Sequence, residues 1–130
     1  MSASPPLSQP LATGWPPRGY LRPCLLLLIA EQPSHGYDLL DRLESLGTPP
    51  IDAGTLYRNL RAMERDETVA SSWEVSPSGP ARRTYRITDR GRAELDGWAS
   101  VLTASVRTIE DYVGRCRALA VQSEQRHTGR

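Results

Sequence analysis

The sequence predicts a mainly α fold carrying one small β-hairpin, and three observations predict it. Apolar residues recur at helical spacing in four segments, one stretch of strand formers is split by a Pro/Gly-rich loop, and 130 residues suit a single compact core.

Residues 1–19 hold five of the eleven prolines (Pro5, Pro6, Pro10, Pro16, Pro17), so they read as a flexible arm that can neither propagate a helix nor bury much apolar surface. Arg18 and Arg22 make residues 1–22 purely basic, at +2, which suits an accessory contact with a phosphate backbone. A buried helix follows from Tyr20 to Glu31, with Pro23 in its first turn and Gln32-Pro33 as its stop. Ser34 is read as the N-cap of a second helix, His35 to Ser45. Its apolar face is Tyr37, Leu39, Leu40 and Leu43, and its polar face is Asp38, Asp41, Arg42 and Glu44. Gly47-Thr48-Pro49-Pro50 ends it.

The third helix spans Ala53 to Asp66, with Leu56, Leu60 and Met63 inward and Thr55, Arg58, Asn59, Arg61 and Arg65 elsewhere. Trp73, Val75, Tyr85 and Ile87 flank Ser76-Pro77-Ser78-Gly79-Pro80, which predicts a two-stranded hairpin with Arg82 and Arg83 at the loop exit. Thr88 caps a last, long helix with Asp89 in its first turn. Leu95, Trp98, Leu102, Val106, Ile109, Val113, Cys116 and Ala120 give that helix an apolar stripe of about seven turns. A stripe of this length would stay wet in a lone chain, so a second copy is the expected cover, and residues 122–130 are polar enough to fray. The expected organisation is an arm at 1–19, a head at 20–88, a dimerisation helix at 89–121 and a flexible tail at 122–130.

Composition narrows the chemistry. All sixteen basic residues are Arg, which removes P-loop, Schiff-base and Ser/Lys chemistry, and no Ser/His/Asp set has a readable spacing. No catalytic residue is therefore assigned and no enzyme is expected. Cys24 and Cys116 lie far apart with two histidines in the chain, so neither a metal site nor a cofactor is expected, and reduced thiols suit a cytoplasmic protein. The apolar run Cys24 to Ala30 is far short of the ~20 residues that span a bilayer, so no membrane partner is expected.

Net charge is only +1, yet it is unevenly placed: residues 23–50 stand at −3 and residues 51–92 at +2. The basic excess falls on the third helix and the hairpin. Three short helices, a hairpin and a long helix are the order of a winged helix-turn-helix, whose third helix enters the major groove while the wing touches the flanking backbone.

Four strings then resemble the PadR-type transcriptional regulators. They are Ser34-His35-Gly36-Tyr37-Asp38-Leu39, Gly54-Thr55-Leu56-Tyr57-Arg58-Asn59-Leu60, Val69 with Trp73-Glu74, and Arg83-Thr84-Tyr85-Arg86-Ile87-Thr88-Asp89-Arg90-Gly91. They stand in the family's order and cover about residues 21–115. The resemblance implies a homodimeric cytoplasmic repressor of the family's shorter form, with one dimerisation helix, bound to double-stranded operator DNA and released by a small-molecule effector or stress signal. One departure stands out: the family usually has Gly just after the third helix, and here the stretch is Asp66-Glu67-Thr68. Either Glu67 takes a positive φ at a cost of ~1 kcal/mol, or the helix ends by another route.

Candidate DNA-binding residues are Thr55, Tyr57, Arg58, Asn59 and Arg61 on the reading helix and Arg82 and Arg83 on the wing. Arg can pair with guanine and Asn with adenine, while phosphate contact is the simpler role for each Arg. Tyr57 has two readings, a hydroxyl for phosphate or a ring for the core. His35 fits either a pH sensor or a structural hydrogen bond beside the cap. Trp98 is the candidate ligand contact, with Tyr20 and Leu102 beside it, against the alternative that Trp98 only packs a dimer core. Leu95, Trp98, Leu102, Val106, Ile109 and Val113 are the candidate dimer contacts. The rival reading of the whole chain is a winged-helix interaction module that docks another protein without specific operator binding.

Overall fold

The computed structural model describes residues 19–128. The arm expected at 1–19 therefore lies almost wholly outside the described residues. Helix α1 (Leu21–Glu31) forms where Pro23 can sit in the first turn without costing a hydrogen bond, and it stops at Gln32, which is extended ahead of Pro33. Its Cys24, Leu25, Leu26, Leu28 and Ile29 are all buried, so α1 is the centre of the core.

Strand β1 (Ser34–His35) follows, then α2 (Gly36–Leu43) and a single 3-10 turn, Glu44–Leu46. Gly47 closes that turn at φ +75°, a left-handed position that glycine takes without a Cβ penalty. Two expectations are corrected here. Ser34 does not cap α2, because its hydroxyl donates to the Gln32 carbonyl and accepts from Arg42, and its backbone pairs with Tyr85. Tyr37 does not join the inward face and is 73% exposed, while Leu39 and Leu43 are buried. With Ser34 in a strand, α2 starts at Gly36, and Tyr37 falls in its first turn on the outer side. Arg42, expected on the wet face, is half-buried and ties α1 to α2 through the Leu28 carbonyl at 2.9 Å and Glu31 at 3.4 Å.

Helix α3 (Ala53–Arg65) buries Leu56, Leu60 and Met63 as its periodicity predicts. Strands β2 (Val69–Glu74) and β3 (Arg82–Ile87) pair antiparallel from Val69↔Ile87 to Glu74↔Arg82. The expected hairpin is thus present, but β1 adds a third strand, in the order β1-β3-β2. Two residues of β1 were too few to leave a period in the sequence. Val69 and Tyr85 complete the core from the sheet.

Glu67 takes φ +62° and carries the turn from α3 to β2. Helix α4 (Asp89–Thr128) then starts at Thr88, whose hydroxyl accepts from the Gly91 N–H at 3.0 Å. Gly91 is a packing requirement, because a Cβ there would overlap the Thr68 carbonyl oxygen. The helix runs 40 residues, about 60 Å at 1.5 Å per residue. It continues through Thr128, beyond the 121 at which the sequence reading ended it, since residues 122–128 contain neither Pro nor Gly to stop it.

The chain divides into two units, one up to Leu95 and one from Asp96. The second unit is helical throughout its described length, and along it Val106, Ile109 and Val113 are 51%, 57% and 38% exposed.

Candidate nucleic-acid interface

Helix α3 is set by its first residue pair. Asp52 is the N-cap, and its carboxylate accepts the Thr55 N–H at 2.8 Å, satisfying one of the orphan donors of the first turn. Hydrogen bonds from Thr55 hold the Asp52 carboxyl below its ordinary range, so the cap is ionised at neutral pH. With Leu56, Leu60 and Met63 fixed inward, the helical period turns Arg58, Arg61 and Arg65 to the opposite side, where all three are exposed.

Arg58 Nη2 donates to the Thr55 hydroxyl at 3.2 Å, which brings those two predicted residues together. Asn59 stands apart from the arginine stripe. Its Nδ2 donates to the Thr55 carbonyl at 2.8 Å, so one face of the carboxamide is turned back onto its own helix. Tyr57 is half-buried with its ring against Gly36: a Cβ at Gly36 would come within 2.5 Å of the Tyr57 hydroxyl oxygen and 2.8 Å of the ring. The hydroxyl end of the ring therefore lies against Gly36, and Tyr57 also lines a cleft that opens beside the wing.

On the wing, Arg82 and Arg83 are residues of β3 itself, one register apart, facing Glu74 and Trp73 of β2. Arg83 is closely held. Its Nε donates to the Ser71 hydroxyl at 2.8 Å, its Nη2 lies 3.6 Å from Glu64 of α3, and its guanidinium sits 5.6 Å from the centroid of the Trp73 ring. Arg58, Arg61, Glu64, Arg65 and Arg83 line one open cleft between α3 and the wing, four cations to one carboxylate. Arg65 and Glu64 were absent from the sequence-derived site. The seven-residue step from Arg58 to Arg65 carried the signal for the first, whereas Glu64 joins only because β3 brings Arg83 to it.

His35 packs structurally, its Nδ1 lying 3.1 Å from the Thr84 hydroxyl and 3.4 Å from the Arg83 carbonyl. Behind the site, Arg22 pairs with Glu94 through two hydrogen bonds at 2.8 and 2.9 Å and with Asp66 at 2.7 Å, linking α1 to the end of α3 and the start of α4. Of the candidate ligand contacts, Trp98 and Leu102 stand one turn apart on α4, both half-buried. Tyr20 precedes α1, and its hydroxyl donates to the Leu46 carbonyl at 3.1 Å. Leu95, in the first unit, is half-buried as well. No group of His, Cys, Asp and Glu among the described residues could hold a metal ion, and no described helix is long and apolar enough to cross a membrane.

The model of the PadR-like family of transcriptional regulators matches residues 25–97, more than half of the chain. The chain belongs to that family. PadR-like proteins are transcriptional regulators and not enzymes. A Mycobacterium tuberculosis protein named a probable transcriptional regulator is 36% identical over 76 residues, 57% of this chain and 40% of its own length. The chain thus spans less than half of that relative. A Lysinibacillus sphaericus protein is 30% identical over 90 residues, 65% of this chain and 83% of its own. Among solved structures, a PadR-like regulator of Bacillus cereus superposes with TM-score 0.67 at 26% identity, over 73% of this chain and 92% of its own. The Bacillus subtilis PadR bound to operator DNA shares the fold, with TM-score 0.57 and 21% identity over 64% of this chain and 48% of its own.

Proposed function

We propose that this PadR-like chain is a homodimeric repressor that binds operator DNA and leaves it when a small molecule or stress signal is sensed. The observation that carries the reading is the cationic cleft between α3 and the wing, lined by Arg58, Arg61 and Arg65 of the helix that a winged fold offers to the major groove and bordered by Arg83 of β3. In this reading Arg58 and Arg61 reach base edges or phosphates, Thr55 orients Arg58, Tyr57 offers its hydroxyl, and Arg82 meets the backbone. Asn59 retains its Oδ1 and one N–H for an adenine. The operator-bound PadR of Bacillus subtilis supports the mode of docking by fold alone.

The exposed stripe of Val106, Ile109 and Val113 supports pairing with a second copy, continued by Leu95, Trp98 and Leu102. A two-fold dimer requires half-sites spaced by one or more helical turns of DNA, ~34 Å each. An effector seated on the Trp98 indole and Leu102 would act by linkage. Its preference for a head placement that misfits DNA lowers operator affinity by that same preference, typically about 1–3 kcal/mol.

The test is a fluorescence titration of a duplex from the region upstream of the chain's own gene, at two salt concentrations, against a scrambled duplex. Wild type should saturate the upstream duplex alone and weaken with salt, and Arg58→Ala with Arg61→Ala should lose at least about tenfold in affinity. Equal binding to the scrambled duplex, or none to either, refutes specific recognition of this region and favours the interaction module.

A further inference from the structure

A second cleft lies on the same head, between the first turn of α2 and the wing, and its lining is not explained by the arginine stripe. Tyr37 from α2, Tyr57 from α3 and Trp73 from β2 converge on it, together with Asp38, Arg82 and Arg83. Trp73 is 66% exposed, and Tyr37 more so, although a large aromatic ring left in water forgoes the burial that stabilises it elsewhere. Scattered exposed aromatics need no explanation, but three meeting in one cleft from three chain segments do.

We propose that this cleft seats the sugar–phosphate backbone of one DNA strand, with the Trp73 indole against a deoxyribose and Tyr37, Tyr57 and Arg82 on the flanking phosphates. This rests on the operator-binding reading and deepens it. Bases in a duplex are stacked inside it, so what the strand presents outward is an apolar sugar face between two anionic groups. The cleft presents the complement, an indole and two phenols with hydroxyls, flanked by arginines. Asp38 is the single carboxylate among the lining residues. An organic cation fits less well, because Arg83 already stands over the Trp73 ring and Arg82 borders the remaining space.

In this proposal Arg83 acts through Trp73. Its Nε donates to Ser71, its Nη2 lies beside Glu64, and its guanidinium stands over the indole. It is a positioning residue that fixes Trp73 and ties the wing to α3. Arg83 also borders the arginine cleft, so the two clefts share a wall on the head.

The discriminating experiment measures affinity of the full chain for the upstream duplex and for a random-sequence 30-base-pair duplex over a salt series. A contact to the sugar is apolar and sequence-independent. Trp73→Ala should therefore weaken both duplexes by about five- to twentyfold while leaving the slope of log K against log salt unchanged, and Trp73→Phe should recover most of the loss. Arg82→Ala should weaken both and lower the slope by about one, the signature of a lost phosphate contact. Arg83→Lys keeps the charge but loses the fork and the stack, so it should reproduce Trp73→Ala with an unchanged slope. Melting temperatures of the variants exclude unfolding, and hydroxyl-radical footprinting reads the sugars directly: Trp73→Ala should lose protection that Arg82→Ala retains.

Wild-type affinity for both duplexes in Trp73→Ala, alongside loss of binding in the Arg58→Ala, Arg61→Ala variant, overturns the cleft and leaves the operator reading standing. Absence of any DNA binding by wild type overturns both.

Discussion

The turn that ends α3 stores strain that one substitution should release. Glu67 sits at φ +62° in a left-handed position where glycine is the usual occupant. The surrounding bonds hold it there. Its N–H donates to the Glu64 carbonyl at 3.0 Å, and the Thr68 N–H reaches the Met63 carbonyl at 3.0 Å, the paired pattern of a Schellman stop. Thr88 then locks the far side, its hydroxyl donating to the Glu67 carbonyl at 2.6 Å and its N–H to the Thr68 carbonyl at 3.1 Å. A residue with a Cβ costs ~1–2 kcal/mol in this conformation, and glycine returns ~0.5–1 kcal/mol of that as extra freedom of the unfolded chain. Glu67→Gly should therefore stabilise by about 0.5–1 kcal/mol, raising Tm by about 2–6 °C for a folded unit of this size. The ion pair it removes, with Arg90 at 3.9 Å and both side chains exposed, is worth little. Thermal unfolding at fixed protein concentration reads the effect, with Glu67→Ala as the control that removes the carboxylate but keeps the Cβ. Equal gains in Glu67→Ala and Glu67→Gly, or a lower Tm in Glu67→Gly, would refute the argument from backbone strain.

Three further outcomes follow from packing and charge. Gly91→Ala places a methyl on the Thr68 carbonyl, a backbone atom that cannot swing aside, so it should destabilise by about 2 kcal/mol or more in a denaturant titration. The Arg22 hydrogen bond holds the Asp66 carboxyl below its ordinary range, so that stabilisation is present above the unfolded carboxylate value of ~3.9 and is lost as pH falls through the lower folded value. Arg22→Gln should accordingly lower Tm at pH 7, with the gap to wild type closing on acidification below about pH 4; a constant gap from pH 7 to 2.5 would remove Asp66 from the account. If the chain pairs through α4 as proposed, wild type should sediment as a dimer at micromolar concentration and Ile109→Asp, which puts a charge in the exposed stripe, as a monomer; a wild-type monomer, or a dimer that survives the substitution, would refute that interface.

What could be read in advance depended on the range of the interaction. The α3 stripe of Leu56, Leu60 and Met63, the Thr88 cap and the Pro/Gly loop of the wing are local patterns, and each lies where the sequence predicts it. Ser34 was misread because its place is set across the sheet. A two-residue strand is defined by its partner in β3, and once Ser34 pairs with Tyr85 it cannot also begin a helix. Asn59 and Arg83 look like free polar side chains in the sequence, but a carbonyl four residues back takes one N–H of the first, and Ser71, Glu64 and Trp73 surround the second.

The sequence by itself determined the order of the four helices and the hairpin, the arginine-rich third helix and the family, because periodicity, capping and motif spacing are properties of neighbouring residues. Only the tertiary structure decided which arginines face outward together, which one is held as a strut, and that Tyr37, Tyr57 and Trp73 border one cleft. These placements arise where β3 crosses between β1 and β2 and brings together residues as much as 49 positions apart, a juxtaposition that no local pattern encodes.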